Sequence, residues 1–529
     1  MKYKIFLLFL FTSFCFNIHS NAQSSAQLNS QKFATLMYLI DNFYVDTVNA
    51  DKVVEDAIVA ALKELDPHSA YIPKKEVERA NEQLVGSFDG IGVTFQLIRD
   101  TITVISAVPG GPSERLGILP GDQILKIDGE DSYGSRIDNA YVQSHLRGPK
   151  GSHVTVSIKR GNDPELLDFE IVRDKIPLNS INAAFMMPDH TGYIKLDRFA
   201  QESNHEFMAA MERLQQQGMR SLILDLRSNS GGYLNTAIEM VNQFLGANQL
   251  IVYTEGLHSE RQEWRSTEAG VYTEGKLVVL IDEGSASASE ILSGAIQDHD
   301  RGVIIGRRSF GKGLVQRPFN LPDGSQVRLT TARYHTPTGR CIQRPYEEGS
   351  EEYYKEMTKR LEHGEYFHAD SIHFPDSLRY TTDNGRTVYG GGGIMPDIFM
   401  PVDTSYNSKL YTNLVRKSIF NKYTVDYALS NRDRLRAQYP DFSRFNQEFQ
   451  ITEAMMAEVK AIAARENVTW NEEEYQRSEK FIKLQLKALI ARNVWDMQQY
   501  YEVTLTEDPV IVKALEIIGN NRAYRNILK

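Results

Sequence analysis

The chain has 529 residues, of which 41% are hydrophobic and 24% are charged, and its formal net charge is −10. This length exceeds what one hydrophobic core usually organises and therefore predicts several domains. The acidic balance disfavours nucleic acid and anionic lipid as partners. After the N-terminus no apolar run reaches the roughly eighteen residues expected of a membrane-spanning helix.

Residues 1–22 differ in composition from the rest of the chain. Two lysines precede an apolar run over residues 5–16, and small residues follow, ending at Ala22. This pattern predicts a secretory signal peptide cleaved near Ala22, since about twelve apolar residues are too few to cross a bilayer. Cleavage would leave Cys341 as the remaining cysteine, so no intrachain disulfide is expected in the exported chain.

Changes in hydrophobic periodicity divide the remaining sequence into four regions. Residues 23–84 have helical spacing, and residues 85–174 form a β-rich module punctuated by Gly and Pro. In residues 175–401 strands alternate with helical segments, the pattern of a layered α/β domain. Residues 402–529 return to helical spacing and carry no motif with recognisable chemistry. The predicted strands are residues 92–98, 101–107, 123–127, 153–159, 192–196, 221–225, 277–282 and 303–306.

A serine-rich turn is the strongest chemical motif. The strand predicted at residues 277–282 leads into Ser285-Ala286-Ser287-Ala288-Ser289, and a helix with apolar spacing follows. A serine at such a junction is exposed on a sharp turn, and the unpaired N–H groups of the first helical turn can stabilise an oxyanion there. The competing interpretation is that these serines only cap the helix.

A nucleophilic serine requires a base, which is usually a histidine. His299 would lie about 18 Å from Ser287 along a continuing helix, which excludes it. Lys312 lies between two glycines straight after a predicted strand, and no acid occurs in residues 309–316 to hold its amine charged. An anion-binding turn is the weaker interpretation, because the spacing of a phosphate-binding loop is missing.

A glycine turn follows the strand predicted at residues 221–225. It contains Gly231 and Gly232, and paired glycines let backbone N–H groups approach a substrate carbonyl closely. Such turns are common after strands. The glycine turn therefore indicates a catalytic site only in combination with the serine and lysine motifs.

These motifs together resemble the carboxyl-terminal processing, or tail-specific, serine proteases. The resemblance rests on residues 284–291, on Phe310-Gly311-Lys312-Gly313 with Val315-Gln316, and on Asp225-Leu226-Arg227 followed by Asn229 and Gly231-Gly232. It implies that Ser287 is the nucleophile, that Lys312 is the general base and that Gln316 orients the lysine. It also implies an oxyanion hole formed by backbone N–H groups of Ala288 and of Gly231 or Gly232, with the choice between the two glycines open.

The β-rich module carries a second resemblance. Its residues 88–93 look like the carboxylate-binding loop of a PDZ domain, in which the backbone of Gly90, Ile91, Gly92 and Val93 would bind the peptide C-terminus. An edge strand of such a module accepts an extended peptide. The alternative is that these glycines only shape a small barrel.

The sequence therefore predicts a secreted, periplasmic or extracellular serine endopeptidase with a multidomain α/β fold. A PDZ domain and a layered α/β core of crotonase/ClpP-like type would lie between helical N- and C-terminal regions. The expected partners are protein or peptide substrates with free C-termini, and no cofactor or metal is expected. Homo-oligomerisation or an adaptor protein is left open.

Two other functions compete with this prediction. A catalytically inactive scaffold would keep the PDZ groove and only bind peptides, but Ser287, Lys312 and Gln316 are all present. A histidine-based hydrolase of other esters would need a Gly-x-Ser-x-Gly elbow, which is missing at Ser287. His68 and His335 are accordingly interpreted as structural.

Overall fold

The computed structural model describes residues 25–161, 163–268 and 270–529. The predicted signal peptide, residues 1–22, lies outside the described residues. The chain divides into two compact units, one ending at Tyr71 and the other beginning at Ile72. None of the helices in the described ranges is long and apolar enough to cross a membrane.

The first unit is helical, as its apolar spacing predicted. It contains α1 (Ser25–Phe43), α2 (Ala50–Lys63) and most of the short strand β1 (Ala70–Ile72). The turn after α2 is closed by Asp66, which accepts a hydrogen bond at 2.5 Å from the hydroxyl of Ser69. Short polar side chains that bind nearby backbone and hydroxyl groups commonly end helices in this way.

The second unit begins with α3 (Lys74–Val85), followed by the β-rich module. The elements of this module are β2 (Ser87–Gly90), β3 (Val93–Ile98), β4 (Thr101–Ala107), α4 (Pro112–Arg115), β5 (Gln123–Ile127), β6 (Glu130–Asp131), α5 (Asn139–Leu146), β7 (His153–Lys159), β8 (Leu166–Val172) and β9 (Asp174–Pro177). Strands β3, β4, β5, β7 and β8 form an antiparallel sheet in that order, and β2 pairs with β9. Alternate residues of β7 are buried, which is the two-residue period of a strand with one solvated face.

The α/β core is built on a six-stranded sheet. The core elements are β10 (Ile181–Met187), β11 (Thr191–Leu196), α6 (Ser203–Gln216), β12 (Ser221–Asp225), α7 (Leu234–Asn242), β13 (Leu250–Gly256), β14 (Ser259–Arg265), β15 (Lys276–Ile281), α8 (Ala288–Asp298), β16 (Val303–Gly306), β17 (Leu314–Asn320), β18 (Gln326–His335), α9 (Ser350–Glu362), β19 (Arg379–Thr381), β20 (Thr387–Tyr389) and β21 (Ile398–Phe399). The strand order in the six-stranded sheet is β10-β11-β12-β15-β16-β21. All neighbours run parallel except β10, which is antiparallel to β11. The central strands are buried on both faces, as parallel strands usually are.

The strand order determines where the candidate site lies. Strands β12 and β15 are parallel neighbours, with Asp225 opposite Leu280, so their carboxyl ends meet at one edge of the sheet. The glycine turn after β12 and the serine turn after β15 therefore lie side by side. A separate antiparallel sheet contains β14, β13, β18 and β17 in that order, and β17 begins two residues after Lys312.

The C-terminal region consists of helices. They are α10 (Lys409–Arg416), α11 (Ile419–Gln438), α12 (Phe442–Glu448), α13 (Glu453–Arg465), α14 (Glu472–Val494), α15 (Met497–Thr504), α16 (Pro509–Gly519) and α17 (Asn521–Ile527). Helices α10 to α14 share an apolar core of their own. In contrast, α16 and α17 bury Ile511, Ala514 and Tyr524 against Ile223 and Val278 of the six-stranded sheet. The opposite face of that sheet is covered by α6, α7 and α8, so the sheet lies between two helical layers.

Candidate active site

Ser287 lies at the junction of β15 and α8, where the sequence predicted a sharp turn. Its backbone has φ +54° and ψ −113°, a combination that is strained for a residue with a Cβ. Strain of this kind concentrates at functional sites. The side chain is half-buried and lines a cavity of ≈ 2140 Å³.

The other two serines of the turn have structural partners and do not line the cavity. Ser285 is fully buried and donates a hydrogen bond to the carbonyl of Leu226 at 2.8 Å. Ser289 is also fully buried and donates to the carbonyl of Asn229 at 2.8 Å. Both hydroxyls therefore fasten the serine turn to the loop after β12.

The loop after β12 packs directly on Ser287. Gly231 has φ +98°, and a Cβ added there would lie 2.6 Å from the carbonyl oxygen of Ala286 and 2.8 Å from Cβ of Ser287. A Cβ on Gly232 would lie 2.1 Å from the carbonyl oxygen of Phe199. Both positions consequently require glycine, because neither the conformation nor the space admits a side chain.

The amides near Ser287 differ in their partners. The N–H of Gly231 donates to Oδ1 of Asn229 at 2.9 Å. Over the described ranges of the chain, the N–H groups of Gly232 and Ala288 donate no hydrogen bond. These two amides are therefore available to an acceptor in the cavity, whereas the Gly231 amide is already occupied.

Lys312, two residues before β17, and Gln316, within β17, reach the same cavity. Lys312 is half-buried, and its Nζ donates to Oε1 of Gln316 at 3.0 Å. Both side chains line the cavity wall together with Ser287. The structure thus brings together three predicted site residues that lie up to 29 positions apart in the sequence.

Glu290 joins the serine turn to the lysine turn, a role that sequence reasoning missed. It is fully buried on α8, and its carboxylate accepts the N–H groups of Ser287, Gly311 and Lys312 at 2.8, 2.6 and 2.9 Å. The Ser309 hydroxyl donates to it at 2.5 Å. Burial raises the pKa of Glu290, and these four hydrogen bonds oppose that rise. The available signal was the glutamate three residues after Ser287, which is the spacing of a helix capping box.

Tyr334 makes a second connection between the two turns. Its hydroxyl lies 3.1 Å from the carbonyl oxygen of Ser287 and 2.6 Å from that of Lys312, and it is placed to donate to either. The ring is buried, and burial raises the pKa of the phenol well above its ordinary value. Glu290 therefore binds N–H groups of both turns, and the Tyr334 hydroxyl can donate to a carbonyl of either turn.

An ion-pair network lies beside the glycine turn. Buried Asp225 accepts from Arg227 at 2.6 Å and from the Tyr193 hydroxyl at 2.8 Å. Burial alone would raise the pKa of Asp225, but the positive charges of Arg227 and Lys195 lower it well below its ordinary value. Arg227 also pairs with Asp508, at the start of α16, at 2.7 Å. The C-terminal region therefore contributes to the surroundings of the site.

Neither His299 nor His335 lines the cavity around Ser287. His299 contacts Asp383 through Nδ1 and the carbonyl of Leu250 through Nε2, each at 2.7 Å, and does not line the cavity. The ring of His335 stacks on Tyr253 at 4.6 Å. Among the described residues His258, which is exposed, is the one histidine on the cavity wall. In the same described ranges no three His, Cys, Asp or Glu side chains are grouped so as to hold a metal ion.

The predicted carboxylate-binding loop lies between β2 and β3 and does not line the cavity around Ser287. Ile91 is buried, and its carbonyl accepts from the N–H and the hydroxyl of Ser113 at 3.1 and 2.7 Å. Gly92 has φ +74°, which turns the backbone into β3. Within the described residues the N–H groups of Ile91 and Gly92 donate no hydrogen bond.

Three family models match parts of the chain. Residues 190–349 match peptidase family S41, residues 103–160 match the PDZ domain, and residues 410–496 match a family of unknown function. These matches confirm the predicted fold class, in which a PDZ domain and a protease domain lie between helical N- and C-terminal regions.

Sequence relatives support the same grouping. A carboxy-terminal-processing protease of Bartonella bacilliformis is 35% identical over 332 residues, which are 62% of this chain and 75% of that protein. The carboxy-terminal processing protease CtpB of Bacillus subtilis is 31% identical over 371 residues, which are 69% of this chain and 74% of that protein.

Solved structures also match. The structure of the photosystem II D1 C-terminal processing protease aligns with this chain at 28% sequence identity and a TM-score of 0.34. The alignment covers 58% of this chain and 82% of that protease. A second match is the PDZ domain of a carboxy-terminal protease from Vibrio cholerae, solved in complex with a peptide, at 34% sequence identity and a TM-score of 0.16. The alignment covers 17% of this chain and 99% of that domain.

Proposed function

Because the chain belongs to the carboxy-terminal processing serine protease family, we propose that it hydrolyses peptide bonds with Ser287 as nucleophile and Lys312 as general base. The observation that carries the proposal is that both side chains line one cavity, with Glu290 bound to the backbone of both turns. Ser285 and Ser289 are buried in structural hydrogen bonds, which leaves Ser287 as the serine of this turn that lines the cavity.

The proposed reaction proceeds through an acyl-enzyme. The neutral amine of Lys312 takes the hydroxyl proton as Oγ of Ser287 attacks the carbonyl carbon of the scissile peptide bond. The tetrahedral intermediate collapses, the C–N bond breaks, and the protonated lysine returns the proton to the leaving amine. Water then attacks the ester with Lys312 again accepting a proton, and this step releases the new carboxyl terminus and restores the Ser287 hydroxyl.

The proposed base must be uncharged when it accepts a proton. An ordinary lysine has a pKa of about 10.4, and a base active near neutral pH needs about 7 to 8. Gln316 supports this role because its amide oxygen, 3.0 Å from Nζ, orients the amine without adding a negative charge that would favour the protonated form. Activity is therefore expected to increase with pH through the pKa of Lys312.

For the oxyanion hole we assign the N–H groups of Ala288 and Gly232. Both are without a hydrogen-bond partner in the described part of the chain, whereas the Gly231 amide donates to Asn229. The role of Gly231 is then to allow close packing against Ser287, where a Cβ would be 2.8 Å from Cβ of the serine. We therefore favour Gly232 over Gly231 as the oxyanion-hole donor, a choice that the sequence left open.

We further propose that the PDZ domain recognises substrates by their C-termini. PDZ domains bind peptides by adding a strand to a sheet edge, and the N–H groups of Ile91 and Gly92 are the proposed donors to the terminal carboxylate. Residues 1–22 would direct the enzyme out of the cytoplasm, to the periplasm or the exterior.

The catalytic assignment is tested by single variants assayed on casein and on a fluorogenic peptide with a free C-terminus. Ser287→Ala and Lys312→Ala should each lower kcat by about 10⁴-fold or more while the chain stays folded. His258→Ala is the control, because His258 is the histidine that lines the cavity among the described residues, and this variant should keep nearly full activity. Full activity of either Ser287→Ala or Lys312→Ala would contradict the proposal, and loss only in His258→Ala would assign the base to histidine.

Recognition of the C-terminus is tested separately with paired substrates. A peptide with a free C-terminus should be cleaved with a lower KM than the same peptide amidated, since amidation removes the charge that the loop at residues 90–93 is proposed to bind. Equal KM values for the two peptides would refute C-terminal recognition and leave the catalytic assignment intact.

A further inference from the structure

Between β18 and β21 the chain makes a long excursion from the core. The N–H of Gly391 donates to the carbonyl of Cys341 at 2.7 Å, and that of Gly393 donates to the carbonyl of Ile342 at 2.8 Å. The two ends of the excursion therefore lie side by side. The excursion, residues 343–392, contains α9 and the β19–β20 hairpin, and all but its first seven residues fall outside the range that matches peptidase family S41.

The first two residues of this excursion hold the turn that carries Lys312. The N–H of Arg344 donates to the carbonyl of Gly311 at 3.0 Å, and the N–H of Gly313 donates to Oε1 of Gln343 at 2.8 Å. A Cβ on Gly311 would lie 2.4 Å from Cγ of Arg344, so the packing there is tight. The lysine turn is thus enclosed on the side away from the cavity.

Helix α9 turns one face toward the same segment. Tyr353, Glu356 and Arg360 are three and four residues apart, the spacing of a single helix face, and Tyr353 and Arg360 are buried. The guanidinium of Arg360 donates to the carbonyls of Ser309 and Phe310 at 2.9 and 3.3 Å. These carbonyls belong to the two peptide bonds that precede the bond between Gly311 and Lys312.

Arg360 is itself held in place by charge and packing. Its Nε donates to Glu356 at 3.0 Å, and Glu356 also pairs with Arg344 and Arg308. Burial alone would raise the pKa of Glu356, but Arg360 and Arg344 more than offset this and lower it, so this carboxylate is charged at neutral pH. The Arg344 guanidinium lies over the rings of Phe310 and Tyr353, 4.2 and 4.0 Å from their centroids.

A buried ionic cluster is an expensive way to pack a helix, because apolar side chains of similar volume usually stabilise as well or better. What the cluster adds is orientation, since a planar guanidinium with several donors fixes the groups it binds more tightly than apolar contact does. A general base must be held in position relative to the nucleophile, because a displacement of about 1 Å can lower the rate about 100-fold.

We propose that Arg360 is a positioning residue for peptide-bond cleavage, which fixes the turn that presents Lys312 to Ser287. It acts through the backbone of Ser309 and Phe310 and touches neither the substrate nor the reacting atoms. This inference rests on the proposed role of Lys312 as general base. It also gives α9, which lies outside the matched protease range, a function in catalysis.

Arg360→Lys is the informative substitution. It keeps the positive charge opposite Glu356, but one ammonium group cannot bind two carbonyls and the carboxylate in the planar arrangement of a guanidinium. The lysine turn should then move more freely and Lys312 should be better hydrated, which favours its protonated form. We expect kcat at neutral pH to fall about 10- to 100-fold with KM changed less than about threefold, and the loss to become smaller as pH rises.

The test uses the full chain and the fluorogenic peptide, with kcat and KM measured from pH 6 to pH 10. Lys359→Ala is the matched control, because this neighbouring side chain is exposed and pairs with Glu352 on the outer face of α9. Thermal unfolding and binding of a free C-terminal peptide report whether each variant is folded. Glu356→Gln, which removes the charge that holds Arg360, gives a second variant with the same expected pH signature.

The outcomes separate this inference from the proposed function. Folded Arg360→Lys and Glu356→Gln with wild-type kcat and pH profile would overturn the positioning role, and so would a loss of equal size at every pH. If Lys312→Ala is inactive in the same assay, the catalytic assignment survives that result. An active Lys312→Ala would overturn both.

Discussion

Replacing Glu290 by glutamine tests whether one buried carboxylate joins the proposed nucleophile to its base. Each oxygen of Glu290 accepts two hydrogen bonds, from Ser309 and Gly311 at one and from Ser287 and Lys312 at the other. Glutamine has a single accepting oxygen, so one pair of donors must face the amide NH₂ group instead. Neither orientation of the amide can satisfy all four donors.

The size of the effect follows from the number of donors left without an acceptor. A buried polar group without a partner costs about 1 to 3 kcal/mol, so two such groups predict a loss of about 2 to 6 kcal/mol in the free energy of unfolding. A folded domain is stable by about 5 to 15 kcal/mol, so the variant should fold with a clearly lower unfolding midpoint. The serine and lysine turns should also separate, and kcat should fall about 100-fold.

Urea unfolding and kcat/KM on the fluorogenic peptide measure the two effects. Glu206→Gln is the matched control, because that carboxylate also accepts two backbone N–H groups, from Ser180 and Ile181 at 2.7 and 3.0 Å, but does not line the cavity. Both N–H groups donate to the same oxygen, which a glutamine oxygen can replace, so this variant should leave both stability and kcat nearly unchanged. A Glu290→Gln enzyme with wild-type kcat and wild-type unfolding would refute the reasoning.

Three further predictions concern neighbouring groups. Ser285→Ala and Ser289→Ala should each keep substantial activity and lose about 1 to 3 kcal/mol of stability on urea unfolding, because each hydroxyl makes a structural hydrogen bond; an inactive Ser285→Ala would require another nucleophile. Lys312→Arg should be inactive at every pH from 6 to 10 in the peptide assay, since guanidinium stays charged, and recovery at high pH would argue against a deprotonated base. Asp508→Asn keeps a helix-capping side chain but removes one of the two negative charges paired with Arg227, so kcat should fall severalfold on the same peptide. An unchanged kcat would show that this ion pair from the start of α16 does not influence the site.

Local periodicity was sufficient to predict much of the architecture. Strands β4, β5, β7, β12 and β16 begin and end at the predicted residues, because the alternation or continuous burial that marks a strand is present within a few neighbouring positions. The PDZ and protease resemblances likewise rest on short motifs whose glycines and serines are required by turn geometry.

The proposed nucleophile and base were also recognisable from local chemistry. Ser287 follows a buried strand and precedes a helix, and Lys312 lies between glycines with no acid close in sequence. Residue type and turn position made these two turns candidates, and the resemblance to the carboxyl-terminal processing proteases assigned the roles to Ser287 and Lys312. The structure added that the two side chains face one cavity.

Only the tertiary structure could decide which distant groups complete the site. Glu290 binds Lys312 across 22 residues, Arg360 binds Ser309 across 51, and Asp508 binds Arg227 across 281. The proposed choice of Gly232 over Gly231 likewise depends on a tertiary observation, since Oδ1 of Asn229 accepts the N–H of Gly231. The physical reason is that sheet order and helix packing determine these contacts, and a periodic pattern in the sequence reports which face of an element is buried but not what is buried against it.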